Sequence, residues 1–146
     1  MILHLMALTN VHLPQLIALE RAAFSDPWSA EMLAEELVAP SRRYIGIFFE
    51  EKLVAYAGLF YCLTEGEILT VAADPEMRRQ GLGTHLLQEL LRIAQELALL
   101  ELFLEVRRSN LGAIGLYERF GFAQIGVRKG YYRSPTEDAL LYKLAL

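Results

Sequence analysis

The sequence predicts an α+β fold, an α/β/α sandwich in which a mixed, mostly antiparallel sheet carries helices on both faces. Three observations predict it. Residues 43–50, 53–63 and 66–75 are consecutive strand-like stretches joined by short turns, which makes an antiparallel meander. Residues 83–98 place apolar side chains at a period near 3.6 and lead into the strand-like "LLELFLEV", a helical unit whose crossover brings a parallel pair into the sheet. Two further strand-like stretches, "AQIGVRKGYY" and "EDALLYKLAL", close the chain around the loop "RSPT".

Each element has its own local reason. "MILHLMALT" has strand character, and Thr9 or Asn10 is placed to cap a helix in which Leu13, Leu16, Ile17, Glu20 and Phe24 recur at roughly helical spacing. Pro14 fits only the first turn of that helix. "SDPW" breaks the pattern, Ser29 is the next N-cap, and "AEMLAEELV" makes a second helix before Pro40. "EEK" turns the first hairpin, and Asp74-Pro75 ends the third strand of the meander. In the long helix Leu86, Leu87, Leu90, Leu91, Ala94, Leu97 and Ala98 form the buried face. Asn110 caps "LGAIGLYERF", and Gly121 stops it.

With 146 residues, one domain spanning 1–146 is expected, large enough to fold without disulfides or metals. The net charge of −4 argues against general binding to nucleic acid or a membrane surface, although a local basic patch can still grip an anion. The lone cysteine, Cys62, is read as a small buried apolar residue, and the missing disulfide framework favours a reducing cytoplasm. No basic leader precedes an apolar run, and no apolar run is long enough to span a bilayer, so a soluble, unsecreted protein is expected. A monomer is the default. His4, His12 and His85 show no ligand spacing with Cys62 or with any carboxylate cluster, so no metal site is expected.

"RRQGLGT", residues 78–84, stands where a strand hands over to the long helix. Amides at a helix start lack intrahelical partners and carry the positive end of the dipole, and glycines let an anion approach them. Arg78, Arg79 and Thr84 add side-chain donors, while the bland alternative is a plain helix start with solvated arginines. The nucleotide patterns fail here. No lysine follows Gly83, and Leu86 stands where a dinucleotide fingerprint needs its third glycine.

In order, "VAADP", "RRQGLGT", "LEVRRSN" and "LYERFGF" resemble the GNAT N-acetyltransferases, whose pyrophosphate loop runs Gln or Arg, two residues, Gly, one residue, then Gly or Ala. Arg78, Gly81 and Gly83 stand in those places, and the resemblance covers essentially the whole chain. Through "DPWS", "EILTVAADP", "LEVRRSN", "LYERFGF" and "GYY…EDAL" the chain looks most like the RimI-type members, which acetylate the N-terminal alanine of a small-subunit ribosomal protein.

That resemblance implies about seven strands with a central parallel pair splayed to hold acetyl-CoA. It implies a pyrophosphate site at Arg78, Arg79, Gln80, Gly81, Leu82, Gly83 and Thr84, and a pantetheine contact along Val71, Ala72 and Ala73. It makes Glu105 the general base, with a carboxylate paired to Arg107 or Arg128 as the alternative. Tyr117 becomes the general acid to the coenzyme A thiolate, or else a core tyrosine; Asn110 contacts coenzyme A, caps its helix, or both. Tyr131 and Tyr132 are candidates for the peptide, as are Glu67 for its ammonium and Trp28, which lines the groove or packs. The apolar setting of Cys62 favours direct transfer over an acetyl-cysteine. A small amine or a lysine side chain is the alternative acceptor, and a non-catalytic coenzyme A-binding module the further alternative.

Overall fold

Aromatic and β-branched runs become strands because such side chains pack well on a pleated surface. In a computed structural model describing residues 2–146 the strands are β1 (His4–Ala7), β2 (Arg42–Phe49), β3 (Lys52–Cys62), β4 (Glu65–Ala73), β5 (Glu101–Arg107), β6 (Ala123–Tyr132) and β7 (Glu137–Ala145). They form one sheet of order β1-β2-β3-β4-β5-β7-β6, in which only the β4–β5 pair is parallel. The helices are α1 (Leu13–Ala23), α2 (Ala30–Val38), α3 (Leu82–Glu96) and α4 (Leu111–Arg119). No described helix is long and apolar enough to cross a membrane.

The starts of α2 and α4 follow the capping chemistry of the sequence, while α1 is capped by neither Thr9 nor Asn10 but begins after His12 with no side-chain cap. Ser29 Oγ accepts from the Met32 N–H at 3.1 Å, and Asn110 Oδ1 accepts from the Ala113 N–H at 3.2 Å. Thr9 precedes a short 3₁₀ turn, Asn10–His12, that leads into α1 with Pro14 in its first turn. The long helix ends two residues before its apolar pattern does. Ala98 adopts a left-handed φ of 57°, and the Leu99 N–H returns to the Ala94 carbonyl at 2.9 Å, which closes the last turn.

Two cores lie on opposite faces of the sheet. On one, Leu86, Leu87 and Leu90 of α3 and Leu116 and Tyr117 of α4 pack on Leu59, Leu102 and Leu104. On the other, Leu16 and Leu19 of α1 and Leu33 of α2 cover Tyr44, Phe48 and Tyr56. The expectation that Cys62 is buried is wrong: it is the last residue of β3, where the strand runs past both cores, and it is exposed.

One irregularity bears on the site. Gly58 pairs with Thr70 but Leu59 pairs with Ile68, so Leu69 is an extra residue bulged from β4. Beside this bulge lies a buried carboxylate, Glu20 of α1, only 3% exposed. It accepts from the Tyr56 hydroxyl and, at 2.8 Å, from the Trp28 N–H, and so ties the α1–α2 connection to the sheet.

Removing a buried acceptor strands its donors at a cost of about 1 to 3 kcal/mol. Glu20→Ala is therefore expected to lose about 3 kcal/mol in urea denaturation. Tyr56→Phe should cost less in that background than in the parent; equal costs in both would show the two groups to be uncoupled.

Candidate active site

Strands β4 and β5 pair from Glu65↔Glu101 to Ile68↔Leu104 and then part. Beyond that point β4 stays with β3, as Val71↔Ala57, Ala72↔Tyr56 and Ala73↔Ala55, while β5 stays with β7 through Arg107↔Ala139. The Leu69 bulge at this fork bends β4 away. The β5-facing backbone of Val71, Ala72 and Ala73 is consequently released from the ladder, as a splayed pair requires. Val71 and Ala73 turn toward the α3 core and Ala72 toward the α1 core.

The glycine loop lies at the start of α3. Arg78, Arg79, Gln80 and Gly81 are exposed, and Gly81 caps the helix with φ 74°, a left-handed conformation that favours glycine. The first backbone bond of the helix runs from His85 N–H to the Gly81 carbonyl at 3.1 Å, so the amides of Leu82, Gly83 and Thr84 lack intrahelical partners. That donor set suits a polyanion. Leu82 contributes only its backbone, since its side chain is buried in the core. Gly83 has a packing reason as well, because a Cβ there would meet Leu116 Cδ2 at 2.9 Å.

Glu105 is the first residue of β5 past the fork. Along β5, Leu102, Leu104 and Val106 enter the α3 core while Phe103, Glu105 and Arg107 face the other side. There Glu67, Phe103, Glu105, Ile125, Arg128 and Leu141 line a cleft of about 200 Å³. Arg128 Nη2 lies 3.1 Å from Glu105 Oε1, so of the two arginines weighed as partners it is Arg128 that pairs. Partial burial, and then the neighbouring Glu105 charge, push the Glu67 carboxyl above its ordinary range, with Arg128 opposing.

Arg107 instead latches the β6–β7 turn. Its guanidinium donates to the carbonyls of Arg133 at 2.6 Å and Pro135 at 2.9 Å, pairs with Glu137 at 3.2 Å, and stacks 4.6 Å over Tyr132. Tyr131 lies under Arg128 at 4.8 Å and meets Tyr132 edge to face. Across the cleft mouth, Ser25 Oγ donates to the Ser134 carbonyl at 2.9 Å, which joins this turn to the α1–α2 connection. Burial, followed by the Glu105 charge, pushes the Tyr132 phenol up to about 12. Tyr117 on α4 is buried, and burial raises its phenol further, with Tyr132 as the next contributor.

The fork thus gathers Val71–Ala73, Glu105, Glu67 and the two tyrosines. Asn110 is engaged in its cap, and Trp28 packs against the α1–α2 core while its backbone N–H donates to Glu20. Sequence reasoning did not find Phe103, Ile125, Ser25 or the latch role of Arg107. Phe103 and Ile125 read as ordinary strand residues, and the Arg107 contacts run to a turn some 26 to 30 residues away.

A family model described as "Acetyltransferase (GNAT) family" matches residues 13–122. The chain is 33% identical to the [ribosomal protein bS18]-alanine N-acetyltransferase of Escherichia coli strain K12, over 96% of this chain and 95% of that one. It is 35% identical to the N-alpha-acetyltransferase RimI of Mycobacterium tuberculosis, over 91% and 86%. Its structure superposes on that of the ribosomal-protein-S18-alanine N-acetyltransferase from Escherichia coli with TM-score 0.92 and 32% identity, covering 99% and 94% of the two chains. The fold is shared with the PaiA N-acetyltransferase of Thermoplasma acidophilum, solved with coenzyme A, at TM-score 0.83, 20% identity and full coverage of both chains.

Two outcomes are expected from this geometry. A carboxyl titrating above its ordinary value contributes stability that is present below the unfolded pKa and lost as pH rises through the folded one. Glu67→Gln should therefore melt higher than the parent at neutral pH, with the difference closing toward about pH 4; a difference independent of pH would contradict this. Arg107→Gln should speed amide exchange in residues 131–136 several-fold while α3 keeps its protection, and unchanged exchange in that turn would refute the latch.

Proposed function

The chain belongs to the GNAT family of acetyltransferases, and from that membership we propose that it moves the acetyl group of acetyl-CoA to the α-amine of a protein N-terminus beginning with alanine, that of the ribosomal protein bS18. The observation that carries this reading is the cleft at the fork. It sets a carboxylate beside the unpaired edge of β4 and walls it with an apolar face and two tyrosines held by a latched turn. The names of the relatives support the acceptor.

When bound, acetyl-CoA supplies an activated thioester. Toward it, the α3 amides with Arg78, Arg79 and Thr84 hold the pyrophosphate, and the released backbone of Val71–Ala73 pairs with the pantetheine arm and polarises the thioester carbonyl. Tyr131 and Tyr132 lie along the peptide, and Glu67 adds to the negative field that attracts its ammonium into the cleft.

An α-amine of pKa ~8 is about a tenth neutral at pH 7, whereas a lysine near ~10.4 is almost wholly charged, so a modest base suffices for a protein N-terminus. Glu105 takes the amine proton as the nitrogen–carbon bond forms. Tyr117 donates its proton to the departing sulfur as the carbon–sulfur bond breaks. The raised Tyr117 pKa keeps the phenol protonated at working pH, so donation accompanies bond cleavage and does not precede it. The transfer is direct. Cys62 pairs in register with Glu65, at the opposite end of β4 from Val71–Ala73, and is poorly placed to carry an acetyl group.

The test is mass spectrometry of an alanine-initiated peptide with an internal lysine, incubated with acetyl-CoA. Acetylation is expected at the α-amine, and modification of lysine alone would overturn the acceptor. Glu105→Gln and Tyr117→Phe should each lower kcat on the order of 100-fold with the fold intact; undiminished turnover by the double variant would remove this mechanism.

A further inference from the structure

Glu105 is paired with a guanidinium in the free protein, so a substrate ammonium entering the cleft meets an occupied carboxylate. The hold is loose, however: a single 3.1 Å contact links Arg128 Nη2 to one carboxylate oxygen, with the Arg128 side chain 52% and the Glu105 side chain 21% exposed. Arg128 lies on β6, an edge strand, and its guanidinium already rests on the Tyr131 ring, a seat that does not depend on Glu105.

The other charges around the cleft are committed elsewhere. Arg107 of β5 is bound to Glu137 of β7 and to the turn; Asp138 of β7 is bound to Arg108 and the Gly130 N–H; Lys143 of β7 is bound to Glu101 of β5. The phenols of Tyr117 and Tyr132, both raised by burial, are neutral at working pH. Two carboxylates, Glu67 and Glu105, therefore face one guanidinium, and the cleft is one positive charge short of balance.

We propose that Arg128 is an exchangeable counter-ion: it occupies Glu105 in the free protein, yields it when a substrate ammonium docks, and swings over Tyr131 toward Glu67. The cleft is then neutral with the substrate in place, and Glu105 faces the proton it must take. The inference rests on the reading of Glu105 as the base and makes Arg128 a positioning residue.

The experiment is the steady-state kinetics of an alanine-initiated peptide, with KM and kcat read separately. For Arg128→Gln the peptide KM should fall a few-fold with kcat little changed, because the ammonium no longer displaces a guanidinium, and Arg128→Lys should restore most of the parent KM. An unchanged KM would overturn the proposal, as would a raised KM, which would make Arg128 a direct substrate contact. A second readout needs neither turnover nor a variant. With coenzyme A present, the unreactive pair of cofactor product and peptide should shift the Arg128 guanidinium resonances of the parent protein, and unshifted resonances would sink the exchange. If Glu105→Gln retains full turnover, the base assignment itself has failed; if that variant is inactive while Arg128→Gln keeps the parent KM, only the counter-ion has.

Discussion

Everything at the site depends on where β4 and β5 stop pairing. The ladder ends at Ile68 and Leu104, and each strand then follows its other neighbour, β4 with β3 and β5 with β7. Backbone amides released from a ladder must find another partner, and an extended chain laid in the gap supplies one. The bulge at Leu69 makes the divergence a property of the sheet itself, since the extra residue bends β4 at the point of parting. In the proposed reaction that gap receives the pantetheine arm, and the first residue beyond it on β5 is the proposed base.

Around the fork, ion pairs serve position more than stability. Half-exposed pairs contribute little free energy, yet Arg107 spans two carbonyls, a carboxylate and an aromatic ring, and so gives the β6–β7 turn one place relative to β5. Ser25 extends the connection to the α1–α2 segment, which Glu20 anchors from below through Trp28. The β6–β7 turn is thus tied both to β5 and to the α1–α2 connection, parts of the chain that share no local sequence signal. Mobility of any one would alter where Tyr131 and Tyr132 stand.

Much of the fold was legible because its cues are local. The meander, the 3.6-residue period of α3 and the caps at Ser29 and Asn110 could be read within a few residues of each position. The donor loop was legible for the same reason, since a helix start with Gly81 and exposed arginines is a short-range pattern. Three things were not legible. The end of α3 moved because a left-handed Ala98 closes the helix where apolar spacing alone gives no stop. Cys62 proved exposed because its apolar neighbours did not show where β3 outruns the cores. The pairing of Glu105 with Arg128, and not Arg107, depends on the β6–β7 register, which no single stretch of sequence encodes.

The alternation of β5 explains how one gap could serve the two proposed proton transfers. With a side-chain period of two, Leu104 and Val106 enter the core shared with α4, and Glu105 between them must point to the opposite face. Tyr117 belongs to that α4 core and Glu105 to the open cleft, so proposed donor and proposed acceptor stand on different sides of the sheet. In the proposed reaction one proton is taken from the amine at the Glu105 face and another is given to the sulfur from the Tyr117 face, and the two groups do not neutralise each other directly. Such an arrangement exists only where the sheet is open, because a continuous ladder would separate the two faces completely. A shift of β5 by one residue would carry Glu105 into the leucine core and close off the chemistry. The seven-residue β5–β7 ladder, unbroken from Glu101 to Arg107, is what holds that register.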